Sequence, residues 1–161
     1  MISIRRAARS DFDQILEIFQ AVIEAGDSYS HTPDTTLEEA FEKWMGPRRL
    51  TYVAEEHETI LGVYTITPNH PGRGSHVANA SYIVSPKARG RGIGRLLGEH
   101  SIEEARMTGY AAMQFNIVVS TNQPAVELWK RLGFSIIGTS PKAFNHKDLG
   151  LVDTYIMHRF L

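Results

Sequence analysis

The glycine-rich segment between residues 89 and 94 has the clearest chemical meaning in the sequence. It consists of Arg89, Gly90, Arg91, Gly92, Ile93 and Gly94. A strand-like segment precedes it and a helix-like segment follows, so the alternate glycines can curl the backbone and direct several N–H groups to one spot at a helix N-terminus. The helix dipole favours an anion there, and Lys87 and Arg95 add positive charge. The segment therefore predicts a site for phosphate or pyrophosphate.

Two familiar phosphate-binding patterns do not fit this segment. A P-loop needs GxxxxGK followed by Ser or Thr, which the sequence lacks. A dinucleotide-binding loop needs a third glycine where the sequence has Arg95. The pattern that does fit is Arg/Gln-x-x-Gly-x-Gly/Ala, here from Arg89 to Gly94, after a strand that ends near Val84. A tight basic turn that binds no ligand is the alternative.

A second motif spans residues 122–134 and follows the pattern N-x-x-A-x-x-L-(Y/W)-x-x-x-G-F. The matching residues are Asn122, Ala125, Leu128, Trp129, Gly133 and Phe134. The two motifs, each on the expected element, resemble those of the GCN5-related N-acetyltransferase (GNAT) family. The order of the predicted elements is similar to that of this family along almost the whole chain.

The resemblance implies an α/β fold of the GNAT type. Its central sheet is mixed but mostly antiparallel, is splayed between the fourth and fifth strands, and carries helices on both faces. The resemblance also implies acetyl-CoA as co-substrate and direct attack by an amine while both substrates are bound. The amine is expected to belong to a small molecule, such as an amino acid or an analogue. Acetylation of a protein N-terminus or lysine is one alternative, and a non-catalytic acyl-CoA-binding module is another.

The resemblance also implies roles for residues around the coenzyme. Residues Arg89 to Arg95 would hold the pyrophosphate, and the pantetheine arm would lie along the strand near Ile83 and Val84. The N–H of Val84, or one next to it, would stabilise the oxyanion that develops on the thioester carbonyl. Asn122 would contact the coenzyme or the substrate, although a helix cap would need the same side-chain oxygen.

Trp129 departs from a common pattern of the family, although it is still expected to contact the coenzyme. Many members have a tyrosine here, whose hydroxyl is thought to reprotonate the leaving thiolate. An indole N–H donates a hydrogen bond but is too weak an acid for that transfer. Because free thiols have a pKa of about 8.5, departure as a hydrogen-bonded thiolate is chemically feasible. Ser120, Tyr82 and water are alternative proton donors.

Asn116 is the most suggestive polar residue outside the two motifs. Strand alternation would place residues 116, 118, 120 and 122 on one face. The stretch from Phe115 to Gln123 resembles that of fungal azetidine-carboxylate acetyltransferases, in which the first Asn is thought to face the acceptor. Asn116 is therefore expected either to contact the substrate or to pin a neighbouring loop.

Further candidates for the acceptor site lie near the predicted end of the first helix and on the strand before the glycine-rich segment. The candidates for substrate contact are Tyr29 and Tyr82, with ordinary packing as the alternative, and the candidate bases are Glu24 and Asp27. His31 and His146 lie in predicted loops that could border the pocket, and the solvated surface is the expected place for both. The segment from Lys142 to Lys147 is expected to close over the acceptor.

The elements that must position these residues follow from hydrophobic periodicity. Strand patterns cover residues 2–5, 50–55, 60–67, 76–85, 111–120, 135–139 and 153–160, with a polar loop between the last two. Helical patterns cover residues 11–25, 36–45, 94–108 and 122–132. Ser10 and Asp13 are expected to form a capping box for the first helix. The order predicts a mixed sheet covered by helices in a single domain, residues 1–161.

Composition excludes several classes of function. The chain has 161 residues, with 17 Lys and Arg against 18 Asp and Glu and a formal net charge of -1, which argues against a nucleic-acid binder. It has no cysteine, and its seven histidines lack the spacing of metal ligands, so neither thiol chemistry nor a metal is predicted. No apolar run approaches the roughly 20 residues of a membrane span. The sequence predicts a cytoplasmic protein without nucleic-acid or membrane partners, and the resemblance makes a homodimer reasonable.

Overall fold

A seven-stranded sheet forms the centre of the protein, and the computed structural model describes all 161 residues. The strands are β1 (Ser3–Arg6), β2 (Leu50–Glu56), β3 (Thr59–Pro68), β4 (Val77–Val84), β5 (Ala112–Val119), β6 (Ser135–His146) and β7 (Gly150–Phe160). Their order in the sheet is β1-β2-β3-β4-β5-β7-β6. Only β4 and β5 pair in parallel, and all other neighbours are antiparallel. The mixed, mostly antiparallel sheet expected from the sequence is confirmed.

Four helices cover the two faces of this sheet. They are α1 (Phe12–Ala25), α2 (Leu37–Met45), α3 (Ile93–Thr108) and α4 (Gln123–Arg131). Because side chains alternate along a strand, Val53, Val63 and Ile83 pack with α1 and α2, whereas Tyr64 and Met113 pack with α3 and α4. The expected placement of helices on both faces is confirmed. None of the helices combines the length and the apolar character that crossing a bilayer requires.

The first helix begins differently from the expectation. The capping box of Ser10 and Asp13 is not formed, and a short 3-10 turn precedes α1 instead. The carboxylate of Asp11 accepts the Ala8 N–H at 2.7 Å and pairs with the Arg5 guanidinium at 2.8 Å, which lowers the pKa of Asp11. Asp11 is buried, and a buried carboxylate needs such partners. The ion pair between Asp11 and Arg5 of β1 therefore takes the place of the expected capping box.

β4 and β5 pair over only three positions before they separate. Residues 77, 78 and 79 lie opposite residues 112, 113 and 114. Further along, Phe115 pairs with Met157 and Val118 pairs with Tyr155, so β5 has one residue more than β7 between these pairs. This bulge interrupts the alternation, and Phe115 and Val118 both pack on the α3 side. The expectation that residues 116 and 118 share a face is wrong.

The last two strands are longer than the sequence suggested. β6 continues to His146 and β7 begins at Gly150, so only residues 147–149 remain of the expected polar loop. β6 is an edge strand, and most of its side chains are exposed. Polar residues are readily accommodated on such an edge, which explains why composition alone indicated a loop.

Candidate active site

A cavity of about 820 Å³ occupies the gap between β4 and β5. The matching residues of the two sequence motifs that line it are Arg89, Gly90, Gly94, Asn122, Ala125, Leu128 and Trp129. The other predicted site residues that line it are Tyr29, Tyr82, Ile83, Val84 and Asn116, whereas Arg91, Gly92, Ile93 and Arg95 lie outside its lining. No group of three or more His, Asp or Glu side chains is placed to hold a metal ion. The structure therefore brings most of the predicted residues around one cavity.

The free edge of β4 presents backbone groups to this cavity. The Ser85 N–H donates to the Leu61 carbonyl on β3 at 2.8 Å. Because hydrogen-bonding groups alternate in an antiparallel pair, the backbone of Ile83 also faces β3, whereas that of Tyr82 and Val84 faces the gap. β5 no longer pairs with β4 at this level. Tyr82 and Val84 can therefore bind a ligand through their backbone, and Ile83 cannot.

The glycine-rich segment places free N–H groups beside one end of the cavity, where Gly94 is part of the lining. Gly90 and Gly92 have φ angles of +77° and +75°, a region that favours glycine. The N–H groups of Ile93, Gly94 and Arg95, in the first turn of α3, have no hydrogen-bond partner in the protein. Together with the dipole of α3 they can bind a phosphate group.

Among the arginines of this segment, Arg89 is the one whose charge is available to a ligand. Arg91 Nη2 lies 2.7 Å from Glu56 Oε2, and Arg95 Nε lies 2.7 Å from Glu99 Oε1. Arg89 has no such partner and lines the cavity. We therefore expect Arg89 to contribute most to anion binding.

Asn122 and Trp129 line the cavity from the side of α4. Asn122 Oδ1 accepts the Ala125 N–H at 3.4 Å, a long capping bond that leaves Asn122 Nδ2 free. The Trp129 ring packs against Tyr82 and Phe115, with centroid distances of 4.7 and 4.6 Å. Its indole N–H has no partner in the protein and is not sealed from solvent. Both side chains can therefore hydrogen-bond a ligand while they keep their structural roles.

The Tyr82 side chain is committed to the core beneath α3. Ser101 donates to the Gly98 carbonyl at 2.8 Å and shares a 2.7 Å hydrogen bond with Tyr82, so the Tyr82 hydroxyl is the donor in that bond. Burial raises the pKa of Tyr82 well above its usual value. The Tyr82 side chain therefore packs in the core, as in the second of the two roles considered for it. Its hydroxyl is poorly suited to proton transfer.

The end of the cavity next to α2 contains two polar residues that sequence reasoning missed. Lys43 lines it, and its Nζ donates to Ser81 Oγ on β4 at 2.9 Å. The sequence did carry a signal for Lys43, because it falls three residues after Ala40 and directly before Trp44, which are both buried. A lysine in such an apolar stripe has to be explained by a contact.

Tyr29 and His31 lie beside Lys43 in the loop after α1. Their rings pack on Phe19 at 5.6 and 5.3 Å, and the Tyr29 hydroxyl and His31 Nδ1 are buried without a hydrogen-bond partner. Burial first, and then the charge of Lys43, lowers the pKa of His31, so its ring is neutral at pH 7. His31 and His146 were expected at the surface, but both are half-buried and line the cavity.

The Asn116 amide is hydrogen-bonded within the protein at both of its polar atoms. Asn116 Nδ2 donates to Asn69 Oδ1 at 2.7 Å, and Asn116 Oδ1 accepts from Gln114 Nε2 at 3.0 Å. Asn69 lies in the loop after β3, so Asn116 ties this loop to β5. Asn116 is nevertheless exposed and lines the cavity, which keeps a ligand within its reach.

The hairpin between β6 and β7 borders the cavity near the end of α1. The Lys147 N–H donates to the Gly26 carbonyl at 2.9 Å, and Lys147 Nζ donates to the Glu24 carbonyl at 3.1 Å. His146 and Asp27 line the cavity next to this contact, and Glu24 does not. Of the two candidate bases, only Asp27 therefore lies at the cavity.

Comparison with known proteins accords with this architecture. The acetyltransferase (GNAT) family matches residues 12–134. The GCN5-related N-acetyltransferase from Kribbella flavida is 44% identical, with 99% of this chain and 98% of that chain covered and a TM-score of 0.95. The N-acetyltransferase aca1 from Schizosaccharomyces pombe is 40% identical over 99 residues, which are 61% of this chain and 47% of that protein.

A bacterial relative matches along more of its own length. The peptidyl-lysine N-acetyltransferase YjaB from Salmonella typhimurium is 26% identical over 141 residues, which are 87% of this chain and 88% of that protein. By contrast, the chain spans 47% of aca1 and 19% of the protein SPT10 from Saccharomyces cerevisiae. The family match covers well over half of the chain. The protein described here belongs to the GNAT family of acetyltransferases.

Proposed function

We propose that this protein transfers the acetyl group of acetyl-CoA to the amine of a small molecule. The observation that carries the proposal is that one cavity joins the start of α3, with its free N–H groups, to the uncovered edge of β4. A diphosphate followed by an extended, amide-bearing arm fits these features, because anions bind helix N-termini and extended chains add to strand edges. Membership of the GNAT family supports the same ligand.

The proposed reaction is direct attack of a neutral amine nitrogen on the acetyl carbon. The N–C bond forms, the C–S bond breaks, the sulfur leaves as a thiolate, and the nitrogen loses a proton. The N–H groups of Tyr82 and Val84 would donate to the carbonyl oxygens of the thioester and its arm, and a fixed N–H stabilises the developing oxyanion. Because both substrates are held in one cavity, their positioning also increases the rate of the reaction.

Two groups at the cavity can accept the proton of the amine. His31 is neutral at pH 7 because burial lowers its pKa, and its Nδ1 has no partner in the protein. Asp27 lines the cavity near the end of α1. On the leaving-group side, the Trp129 N–H can donate a hydrogen bond to the thiolate but not a proton. This arrangement supports departure of the sulfur as a stabilised thiolate.

Acetylation of a peptide lysine or N-terminus is the second candidate function. The name of the relative YjaB, a peptidyl-lysine N-acetyltransferase, supports it. The cation Lys43 at the α2 end of the cavity disfavours a basic peptide, because further Lys or Arg side chains beside the acceptor amine would meet a like charge there. A small amine without excess positive charge fits this end of the cavity better.

A thiol-release assay with an amine panel tests the proposed function. We expect acetyl-CoA and at least one small amine to give free coenzyme A thiol and the acetylated amine, identified by mass spectrometry. Transfer to lysine peptides alone would support the second candidate instead. Binding of acetyl-CoA without transfer to any amine would contradict the proposal and would indicate a non-catalytic acyl-CoA-binding module.

Asn116→Ala should affect the acceptor more than the coenzyme. We expect the KM of the amine to rise roughly five- to tenfold, as for loss of one neutral hydrogen bond, with an unchanged Kd for acetyl-CoA. Steady-state kinetics and calorimetric titration measure the two quantities. Asn69→Ala is the matched control, because it removes the 2.7 Å partner but keeps Asn116. If Asn69→Ala has the full effect, Asn116 acts by holding the loop and does not touch the acceptor.

A further inference from the structure

We propose that Lys43 and Ser81, together with the Tyr29 hydroxyl, bind the carboxylate of the acceptor, which is therefore an amino acid. This inference rests on the proposed acetyltransferase function and adds the chemical class of its substrate. The three residues line the α2 end of the cavity, and Lys43 Nζ is joined to Ser81 Oγ at 2.9 Å. We call this group the anion subsite.

Lys43 is a largely covered cation without a counter-ion. None of the ion pairs in the protein includes it, and its one hydrogen bond goes to Ser81. An ammonium group has three donors, so two of them have no acceptor in the protein. A covered charge of this kind is unfavourable unless an anion pairs with it. A carboxylate from the substrate would complete the pair.

Tyr29 provides a further donor at the same place. Lys43 Nζ lies 5.6 Å from the centroid of the Tyr29 ring and 5.7 Å from that of Trp44, so aromatic faces hold the ammonium. The Tyr29 hydroxyl is sealed from solvent and lies near Ser81 without forming a hydrogen bond of good geometry. Burial raises the pKa of Tyr29, so the hydroxyl keeps its proton. A carboxylate only accepts hydrogen bonds and can accept several, so one such group can satisfy both donors.

The charges around Lys43 also favour an anion. Burial first, and then the positive charge of Arg49, lowers the pKa of Lys43 to about 8, so the ammonium still predominates at neutral pH. The Glu39 carboxylate is engaged elsewhere, since it accepts the Thr36 N–H at 2.8 Å in the cap of α2. His31 is neutral at pH 7. The neighbourhood is therefore positive when the subsite is empty.

The position of the subsite matches the length of an amino acid. Ser81 directly precedes Tyr82, whose N–H faces the gap where the thioester would bind. One strand residue spans about 3.3 Å, and an α-amino acid has a single carbon between its carboxylate and its amine. A carboxylate held at Ser81 would therefore bring the amine close to the backbone that positions the acetyl group.

Paired substrates and two variants test the subsite. We expect the protein to prefer free amino acids over the corresponding amino-acid amides by about tenfold or more in kcat/KM, because a charge-assisted hydrogen bond is lost in the amide. Lys43→Met should reduce this preference to near unity, and Lys43→Arg should retain part of it. Neither variant should change the Kd for acetyl-CoA. Equal kcat/KM for acid and amide in the unsubstituted protein would overturn the proposal.

A binding measurement that needs no turnover separates this proposal from the proposed function. N-acetylglycine and N-acetylglycinamide serve as probes in ligand-observed NMR, and we expect the protein to bind the first more tightly. Lys43→Met should abolish the difference, and thermal melting should show that it folds, since it replaces a covered charge with an apolar group of similar length. Carboxylate-selective binding without acetyl transfer would support the anion subsite but contradict the proposed function. Acetyl transfer without carboxylate selectivity would support the proposed function but contradict the anion subsite.

Discussion

Val84→Pro should lower kcat for acetyl transfer by about 10²–10³-fold, as loss of one backbone donor to a developing oxyanion does. The Val84 N–H faces the gap and is not part of the ladder between β4 and β3, so proline removes a donor without breaking a pair with β3. Ile83 is in an extended strand, the conformation that a residue before proline prefers. Stopped-flow or steady-state thiol release measures the loss.

Val84→Ala is the matched control for this experiment. It removes both γ-methyl groups of the half-buried side chain, so it loses at least as much packing as Val84→Pro, but it keeps the N–H. We expect Val84→Ala to retain most of the activity and to show a thermal melt similar to that of Val84→Pro. If both variants lose the same activity, the side chain and not the N–H of Val84 is responsible, and the assignment of the oxyanion donor is wrong.

Gly92→Val should weaken acetyl-CoA binding by about tenfold or more. Gly92 has a φ of +75°, and a β-branched residue in that region is strained by about 1–3 kcal/mol. The strain is relieved by moving the turn that sets the free N–H groups of Ile93 and Gly94, so the site for the diphosphate is lost. Calorimetric titration with acetyl-CoA measures the affinity.

Gly109→Val is the control for strain alone. Gly109 lies at the other end of α3, has a φ of +97°, and, like Gly92, has open space where a Cβ would be. Both variants should lose similar stability, but Gly109→Val should bind acetyl-CoA normally.

Arg89→Ala should also weaken acetyl-CoA binding, because the charge of Arg89 has no partner in the protein. Normal binding by both Gly92→Val and Arg89→Ala would contradict the diphosphate site.

The fold and the end of the cavity next to α3 were largely predictable because the residues that determine them are close together in the sequence. The glycines of residues 89–94 determine a turn by their own conformational freedom, and α4 is bounded by Asn122 and Gly133 in the sequence. Hydrophobic periodicity then supplied the order of the strands and helices. The assignments of Arg89, Val84 and Asn122 to the coenzyme remain predictions, although the structure presents all three to one cavity.

The end of the cavity next to α2 was harder to predict because it depends on contacts between distant segments. Lys43 meets Ser81 from a different element, 38 residues away in sequence. The bulge in β5 depends on its pairing with β7, so strict alternation placed Asn116 incorrectly. Tyr29 and His31 lie in an irregular loop whose burial follows from packing on Phe19 and Trp44. Hydrophobic periodicity within one segment does not predict which distant segments come into contact.

The brief parallel pairing of β4 and β5 divides the sheet into two halves. Strands β1 to β4 form one antiparallel unit, β5 to β7 form another, and only three residue pairs join them within the sheet. A molecule that lies in the wedge between the halves would hydrogen-bond to one half of the sheet and pack against the other half. It would thereby hold the two halves together. Because such a molecule binds only the assembled wedge, mass action favours the native state as its concentration rises. If the coenzyme binds in this opening, as we propose, the stability of the whole sheet depends on whether the coenzyme is bound.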